Sequence, residues 1–253
     1  MCKLRVLPRG LPEKTALEQS IPASCYRDPE QQISIIIPAL NESARIIPTL
    51  LTLQPLRAEG HEVVLVDAGS RDNTLELARE LVDQVIEGES GRARLMNLGA
   101  QHAWGETLLF LHADCLLPDH ADQLIFSALE NRDWGCFDLR FSGRQRMLRI
   151  VERVMSWRSR LTGIPTGRQG LFMRRALYER VGGFPDIPVQ EDIAMSRRLR
   201  QIGRPLFLNR PLMTSSRRLE QRGIVFAALK QWSLWLSQLL NRESHEPLRR
   251  DCR

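Results

Sequence analysis

Apolar residues in the first half of the chain cluster into short unbroken runs, and in the second half they recur at helical spacing. Residues 33–37 read Ile-Ser-Ile-Ile-Ile, residues 63–66 Val-Val-Leu-Val and residues 108–111 Leu-Leu-Phe-Leu. Runs of that length, closed by polar residues, predict strands buried on both faces, the habit of a parallel sheet. Helical patterns lie between them, over residues 43–56, 75–81 and 92–103, with a weaker strand at 84–87. Strands alternating with helices through right-handed crossovers predict an α/β fold with a mostly parallel sheet. Residues 1–32 hold Pro8, Pro12, Pro22 and Pro29 and no period, and read as an irregular arm. Residues 33–240 read as one domain with its two halves at 33–118 and 119–240, and residues 241–253 as a basic tail.

Each strong strand runs out into polar residues. The first ends in Pro38-Ala39-Leu40-Asn41-Glu42, the second in Asp67-Ala68-Gly69-Ser70-Arg71-Asp72, the third in His112-Ala113-Asp114. Pro38 is expected to stop the ladder. Ser43 is placed to cap the helix after the first strand, and Asn73 with Glu76 has capping-box-like spacing. Taken singly, any of these acids reads as a cap or turn residue. Taken together, they gather at the carboxyl edge of a parallel sheet, where α/β proteins bind ligands. The loops have neither GxGxxG nor GK[ST], so they do not cradle phosphate. Their carboxylates can instead accept hydrogen bonds from base and ribose. Arg92 and Arg94 open a helix where cations oppose the dipole, so either faces an anion or is solvated. Asn97 and Gly99 follow on that helix.

The second half is more basic. Residues 134–141 and 171–173 read as strands. Residues 145–161 form a helical pattern with Leu148, Val151 and Met155 on one stripe, and carry Arg146, Arg149, Arg153, Arg158 and Arg160. Such a helix is a solvated face over a core, a surface for a phosphorylated acceptor, or a membrane-interface helix. A loop with three glycines, residues 163–170, follows. Gln190-Glu191-Asp192 opens a helix reaching Ile202. Asp192 lies one turn before Met195 and Leu199 on the same face. It is either a first-turn acid or a carboxylate kept ionised by the helix dipole and aimed into a cleft, where it can take a proton from a hydroxyl. A short strand over residues 205–208 precedes Thr214-Ser215-Ser216-Arg217-Arg218, whose arginines can neutralise a departing pyrophosphate. Residues 219–240 read as a helix with Val225, Leu229, Trp232, Leu236 and Leu239 on one side, too polar to span a bilayer.

A net charge of +6 suits an anionic ligand or an acidic membrane surface and is too mild to imply nucleic acid. The five cysteines form no CxxC pair, so neither a disulfide framework nor a zinc site is indicated. The expected location is the cytoplasm, with at most weak peripheral contact at the inner face of the membrane.

With these residues assembled, the chain resembles family-2 glycosyltransferases of the GT-A fold, a Rossmann-like sheet flanked by helices. The resemblance rests on Pro38 to Glu42, Val66 to Ser70 with Asp72 and Thr74, Asn97 with Gly99, His112-Ala113-Asp114, Gly182-Gly183-Phe184 and Glu191-Asp192. His-Ala-Asp and the Ser216-Arg217-Arg218-Leu219-Glu220 segment look closest to the radical-SAM/selenodomain-associated subgroup. The resemblance implies a nucleotide-diphosphate sugar as donor, an unknown hydroxyl acceptor and inversion at the sugar. Pro38, Ala39, Asn41, Glu42, Asp67, Gly69, Ser70, Asp72, Arg94, Asn97, His112 and Ala113 would hold the nucleotide. Asp114 would carry a divalent cation, Mg²⁺ or Mn²⁺, and Asp192 would be the base. Gln169, Gly170, Glu191, Arg217 and Arg218 would serve acceptor and diphosphate. Where the common metal motif begins with Asp, this chain has His112, and one carboxylate with substrate phosphates can still hold such an ion. Two other readings compete: a sugar-1-phosphate nucleotidyltransferase, and a non-catalytic nucleotide- or membrane-binding module.

Overall fold

The computed structural model describes residues 31–217. Most of the predicted arm, Arg218, the predicted helix over residues 219–240 and the basic tail lie outside the described residues. Eight strands form one sheet: β1 (Ile33–Ala39), β2 (Glu62–Asp67), β3 (Gln84–Glu87), β4 (Thr107–Phe110), β5 (Cys115–Leu116), β6 (Trp134–Phe141), β7 (Leu171–Arg174) and β8 (Leu206–Thr214). Their order is β3-β2-β1-β4-β7-β6-β8-β5. β3, β2, β1 and β4 pair in parallel, as do β6 and β8. β7 enters antiparallel between β4 and β6, and β5 closes the far edge antiparallel to β8.

Alternate residues of the buried strands serve two helical layers, as the two-residue period requires. Ile35 and Ile37 pack with Leu50 and Leu53 of α1 (Ile46–Ala58), Ala78 of α2 (Thr74–Ala78) and Ile125 of α4 (Ala121–Asn131). Ile36, Val64 and Val66 pack on the other face with Leu95 and Met96 of α3 (Arg92–His102), Leu177 of α6 (Arg175–Arg180) and Met195 of α7 (Glu191–Ile202). Gly99 lets α3 lie close to the sheet, since a Cβ there would stand 2.5 Å from Ile36 Cγ2. The remaining long helix, α5 (Arg146–Thr162), packs on β6 through Leu148 and Val151.

Local expectations needed correction at four places. Pro38 does not end β1, which continues to Ala39. β4 stops opposite Ile36, so Pro38 lies past its end, while on the other side β2 still pairs alongside it. Ser43 does not cap α1: its N–H donates to Asp72, and the Glu42 carbonyl accepts from Arg45 and Ile46. Asn73 makes no side-chain cap on α2, because Asp72 takes that place by accepting from the Thr74 N–H at 3.1 Å. β8 runs on to Thr214, well past the predicted strand, and accommodates Pro211 opposite an irregularity between Phe137 and Asp138.

Candidate active site

Parallel pairing brings the exits of β1 and β2 to one edge, and hydrogen bonds join them. The Asn41 N–H donates to Ser70 Oγ at 2.8 Å, and Asn41 Oδ1 accepts from the Arg71 N–H at 2.9 Å. The Glu42 N–H donates to Thr74 Oγ1 at 2.9 Å. Asn41 adopts φ +54°, a conformation Asn tolerates better than most side chains. Asp67 is fully buried and accepts from the Gly69 N–H at 2.9 Å, the Ser70 N–H at 2.7 Å and the Ser70 hydroxyl at 2.5 Å. Thr74 and Ser43 donate to Asp72 and hold its carboxyl down at about 2, with the Thr74 hydroxyl the largest influence. These two acids are the internal struts of the double loop. Asp67→Ala leaves two backbone donors of a half-exposed turn without their partner, so a loss of roughly 1 kcal/mol of stability is expected. Denaturant unfolding of the variant measures it; unchanged stability would mean the loop stands without the carboxylate.

The exit of β4 is different. Thr49 Oγ1 donates to the Ala113 carbonyl at 2.8 Å and pins the turn. Asp114 is half-buried, and among the described residues its carboxylate meets only the Cys115 thiol, at 3.8 Å. Burial pushes that thiol up to about 12, which makes it unreactive. The end of β8 arrives beside it: Thr214 pairs with Cys115, and the Ser215 N–H reaches the Asp114 carbonyl at 3.3 Å. Arg217, exposed, follows two residues later. A half-buried carboxylate that accepts no N–H bond among the described residues suits a hydrated hard cation that a diphosphate shares.

A third segment completes the site from far along the chain. The stretch after α5 runs antiparallel to α7: the Pro165 carbonyl accepts from Ser196 Oγ at 3.1 Å, and the Gly167 N–H donates to the Asp192 carboxylate. Asp192 Oδ1 also accepts from the Ile193 N–H at 2.8 Å. A Cβ on Gly167 would lie 3.0 Å from His112 Nε2 and 3.2 Å from Asp192 Oδ2. Glycine is thus what lets the β4 exit and the start of α7 close on each other. The resulting pocket is lined by His112, Asp192, Glu191, Arg92, Phe110 and Phe184, among others. Glu191 is the more buried of the two acids and pairs with Arg92 at 3.4 Å. Arg158 is half-buried within electrostatic reach of Asp192.

Some predicted site residues stand elsewhere. Arg94 points to the surface, bonded to Asp186 at 2.9 Å and Glu89 at 3.1 Å, and Arg92 takes the place at the pocket. Asn97 bonds Tyr178 and both backbone groups of Phe184, so it fixes the pocket wall. Gln169 is buried beneath the loop, accepting from Ser159 Oγ at 2.9 Å and the Thr166 N–H at 3.0 Å. Gly170, also buried, has φ +61° and packs against Leu212. Both shape the loop from behind. Arg158 and Gly167 escaped the sequence reading as site residues, and of the two arginines opening α3 that reading carried Arg94 rather than Arg92 to the nucleotide site. Arg92 and Arg94 look alike in sequence, and nothing local marks Gly167 among its glycine neighbours. Glu59, His61 and Asp122 bring possible metal-ligating atoms within 4.8 Å of one another, but at the opposite edge of the sheet. There His61 Nδ1 accepts from the Ile33 N–H, which puts the ring proton on Nε2, facing Asp122.

Residues 34–182 match the family model described as Glycosyl transferase family 2. The chain belongs to that family. Glycosyltransferase AglE of Haloferax volcanii is 36% identical over 92 residues, covering 33% of this chain and 30% of that protein. The 4,4'-diaponeurosporenoate glycosyltransferase of Staphylococcus haemolyticus is 32% identical over 113 residues, covering 41% and 30%. The matched region therefore spans about a third of these curated relatives or less. Among solved structures, the mannosyltransferase PcManGT from Pyrobaculum calidifontis in complex with GDP-Man and Mn²⁺ aligns with a TM-score of 0.58 at 24% identity, over 78% of this chain and 60% of that one. TarS 1-349 from S. aureus in complex with UDP-GlcNAc aligns with a TM-score of 0.58 at 20% identity, over 73% and 58%. The family-2 glycosyltransferase is thus an α/β protein of the GT-A architecture, as its sequence led us to expect. Among the described residues, no helix is long and apolar enough to cross a membrane.

Proposed function

We propose that this family-2 glycosyltransferase moves a sugar from a nucleotide-diphosphate sugar to a hydroxyl acceptor by single displacement with inversion. The observation that carries this reading is the approach of Asp192 to His112 across Gly167, which sets a carboxylate from α7 over the exit of β4. Its carboxylate accepts from the Gly167 and Ile193 N–H groups, and lone pairs remain on its oxygens for a hydroxyl proton. In the reaction the acceptor oxygen bonds to the anomeric carbon, the bond from that carbon to the diphosphate oxygen breaks, and Asp192 takes the hydroxyl proton. The nucleoside diphosphate leaves with the electron pair.

The loops at Pro38–Glu42 and Asp67–Asp72 form the nucleotide cradle, with Asp67 and Asp72 holding its shape and presenting Ala39, Asn41, Gly69 and Ser70. Residues 33–118 are the donor half and residues 119–240 the acceptor half. Asp114 holds the divalent cation together with the substrate's own phosphates, and Arg217 and Arg218 add positive charge. When bound, the ion supplies charge neutralisation for the departing diphosphate. Glu191, paired with Arg92, orients the acceptor. The His112-Ala113-Asp114 and Ser216–Glu220 segments support membership of the radical-SAM/selenodomain-associated subgroup. The nucleotidyltransferase reading loses support, because the β1 exit holds no glycine-rich basic loop.

A thermal-shift screen of UDP- and GDP-sugars with and without Mn²⁺ tests the donor class. A native-state ligand at 100 times its Kd stabilises by about 2.7 kcal/mol, a rise of several degrees for a domain of this size. At least one nucleotide-sugar is expected to raise Tm, and to do so more with Mn²⁺. No shift from any of them would count against the reading.

A further inference from the structure

α5 carries two apolar stripes, and among the described residues only one is packed. Leu148 and Val151 pack on Leu139 and Phe141 of β6, with Met155 beside them. The second stripe, Met147, Ile150, Val154, Trp157 and Leu161, recurs at intervals of three and four residues, the spacing of a single helix face. Four of its five members look into solvent, with Ile150 53% exposed, Trp157 63% and Leu161 60%, and Val154 between them is half-buried. A contiguous exposed row of large apolar side chains rimmed by polar ones marks an interaction surface.

The rim names the partner. Arg146, Arg153 and Arg160 recur at seven-residue intervals, which lays them along one flank of the exposed stripe. All three are exposed, as is Arg144 just ahead of the helix. Arg160 bonds Asp138, but among the described residues no acid pairs with Arg146 or Arg153. Glu152, the helix's only acid, is buried and bonded to Arg149 and the Phe141 N–H. The face is apolar along its centre and cationic along its edge, the make-up of a helix that lies in a membrane interface. A second copy docking across a twofold axis perpendicular to the helix would bring one arginine row against another.

We infer that α5 docks on an anionic bilayer, with Ile150, Trp157 and Leu161 entering the headgroup boundary and Arg146 and Arg153 meeting lipid phosphates. This goes beyond the donor-site reading and stands without it, since vesicle binding needs no turnover.

Flotation of the full chain with phosphatidylglycerol or phosphatidylcholine vesicles is the test. Binding to phosphatidylglycerol is expected to exceed binding to phosphatidylcholine at least tenfold and to weaken at high salt. The pair Arg146→Glu with Arg153→Glu, and separately the pair Ile150→Ser with Trp157→Ser, is each expected to cut binding at least tenfold at unchanged Tm. Leu51→Ser, at an exposed apolar position on α1, is expected to bind like the wild type. Equal binding to both lipids, or binding that both pairs leave intact, would overturn the proposal. So would an apolar pair that lowers Tm while keeping vesicle binding, which would show the stripe covered by the protein itself. A wild-type dimer that the apolar pair converts to monomer, with vesicle binding kept, would assign the stripe to self-association instead.

Discussion

Asp192→Asn is expected to keep nucleotide-sugar affinity and to lower turnover by ~10²-fold or more, the usual size of a general-base contribution. Asn preserves the shape of the side chain and can still accept from the Gly167 N–H. It cannot also accept from the Ile193 N–H with its amide nitrogen, so a loss of roughly 1 kcal/mol in stability accompanies the substitution. The donor loops lie at the exits of β1 and β2 and make none of these contacts, so donor affinity is untouched. Glu191 is the natural control. It is buried, paired with Arg92, and adjacent residues on a helix point about 100° apart, so the two acids cannot face one sugar hydroxyl equally. Glu191→Gln is expected to raise the acceptor KM more than it lowers kcat. Turnover and donor affinity measured side by side on both variants decide the matter. Normal turnover in Asp192→Asn with loss in Glu191→Gln would exchange the two roles, and full activity in both would end the single-displacement reading.

Asp114→Ala is expected to abolish Mn²⁺-dependent binding of a nucleoside diphosphate while leaving the fold as it was. The two halves of that statement have one cause. Asp114 makes no strong hydrogen bond among the described residues, so its removal strands no donor. The contrast with Asp67 is direct: both acids follow buried strands, yet one is spent inside its loop and the other is open to a ligand. Titration calorimetry of UDP and GDP with and without Mn²⁺ on wild type and variant is the measurement, with Tm as the control. Metal-dependent affinity that survives in Asp114→Ala would move the cation elsewhere, and His112 would be the next residue to substitute.

Much of this molecule was legible before any coordinates. The buried runs at 33–37, 63–66 and 108–111 became β1, β2 and β4, because a strand covered on both faces has no polar alternation to disguise it. β3 and the start of α3 fell where expected, and Glu191 opened α7. Strand β5, two residues long, and helix α4, with no capping side chain, went unread. β8 extends well past the short strand read at residues 205–208, with Pro211 paired at an irregularity in the register of β6.

By itself the sequence determined that polar strand exits gather at one sheet edge, since parallel order follows from alternating strands and helices and the exits then share an edge. It also put Asp114 and Asp192 forward as candidate site acids. Which strand-end acids are tied up within their own loops was decided only by the tertiary structure. Asp67 and Asp114 are equivalent as strand-end carboxylates, and what separates them is whether neighbouring N–H groups consume their lone pairs. Arg92 and Arg94 are two residues apart, and helix rotation against α7 sends one to Glu191 and the other to Asp186. The meeting of His112 with Asp192, 80 positions later, depends on an antiparallel loop and on Gly167 having no side chain. Their convergence on Gly167 joins segments distant in the chain, and no local pattern of residues encodes a distance of that kind.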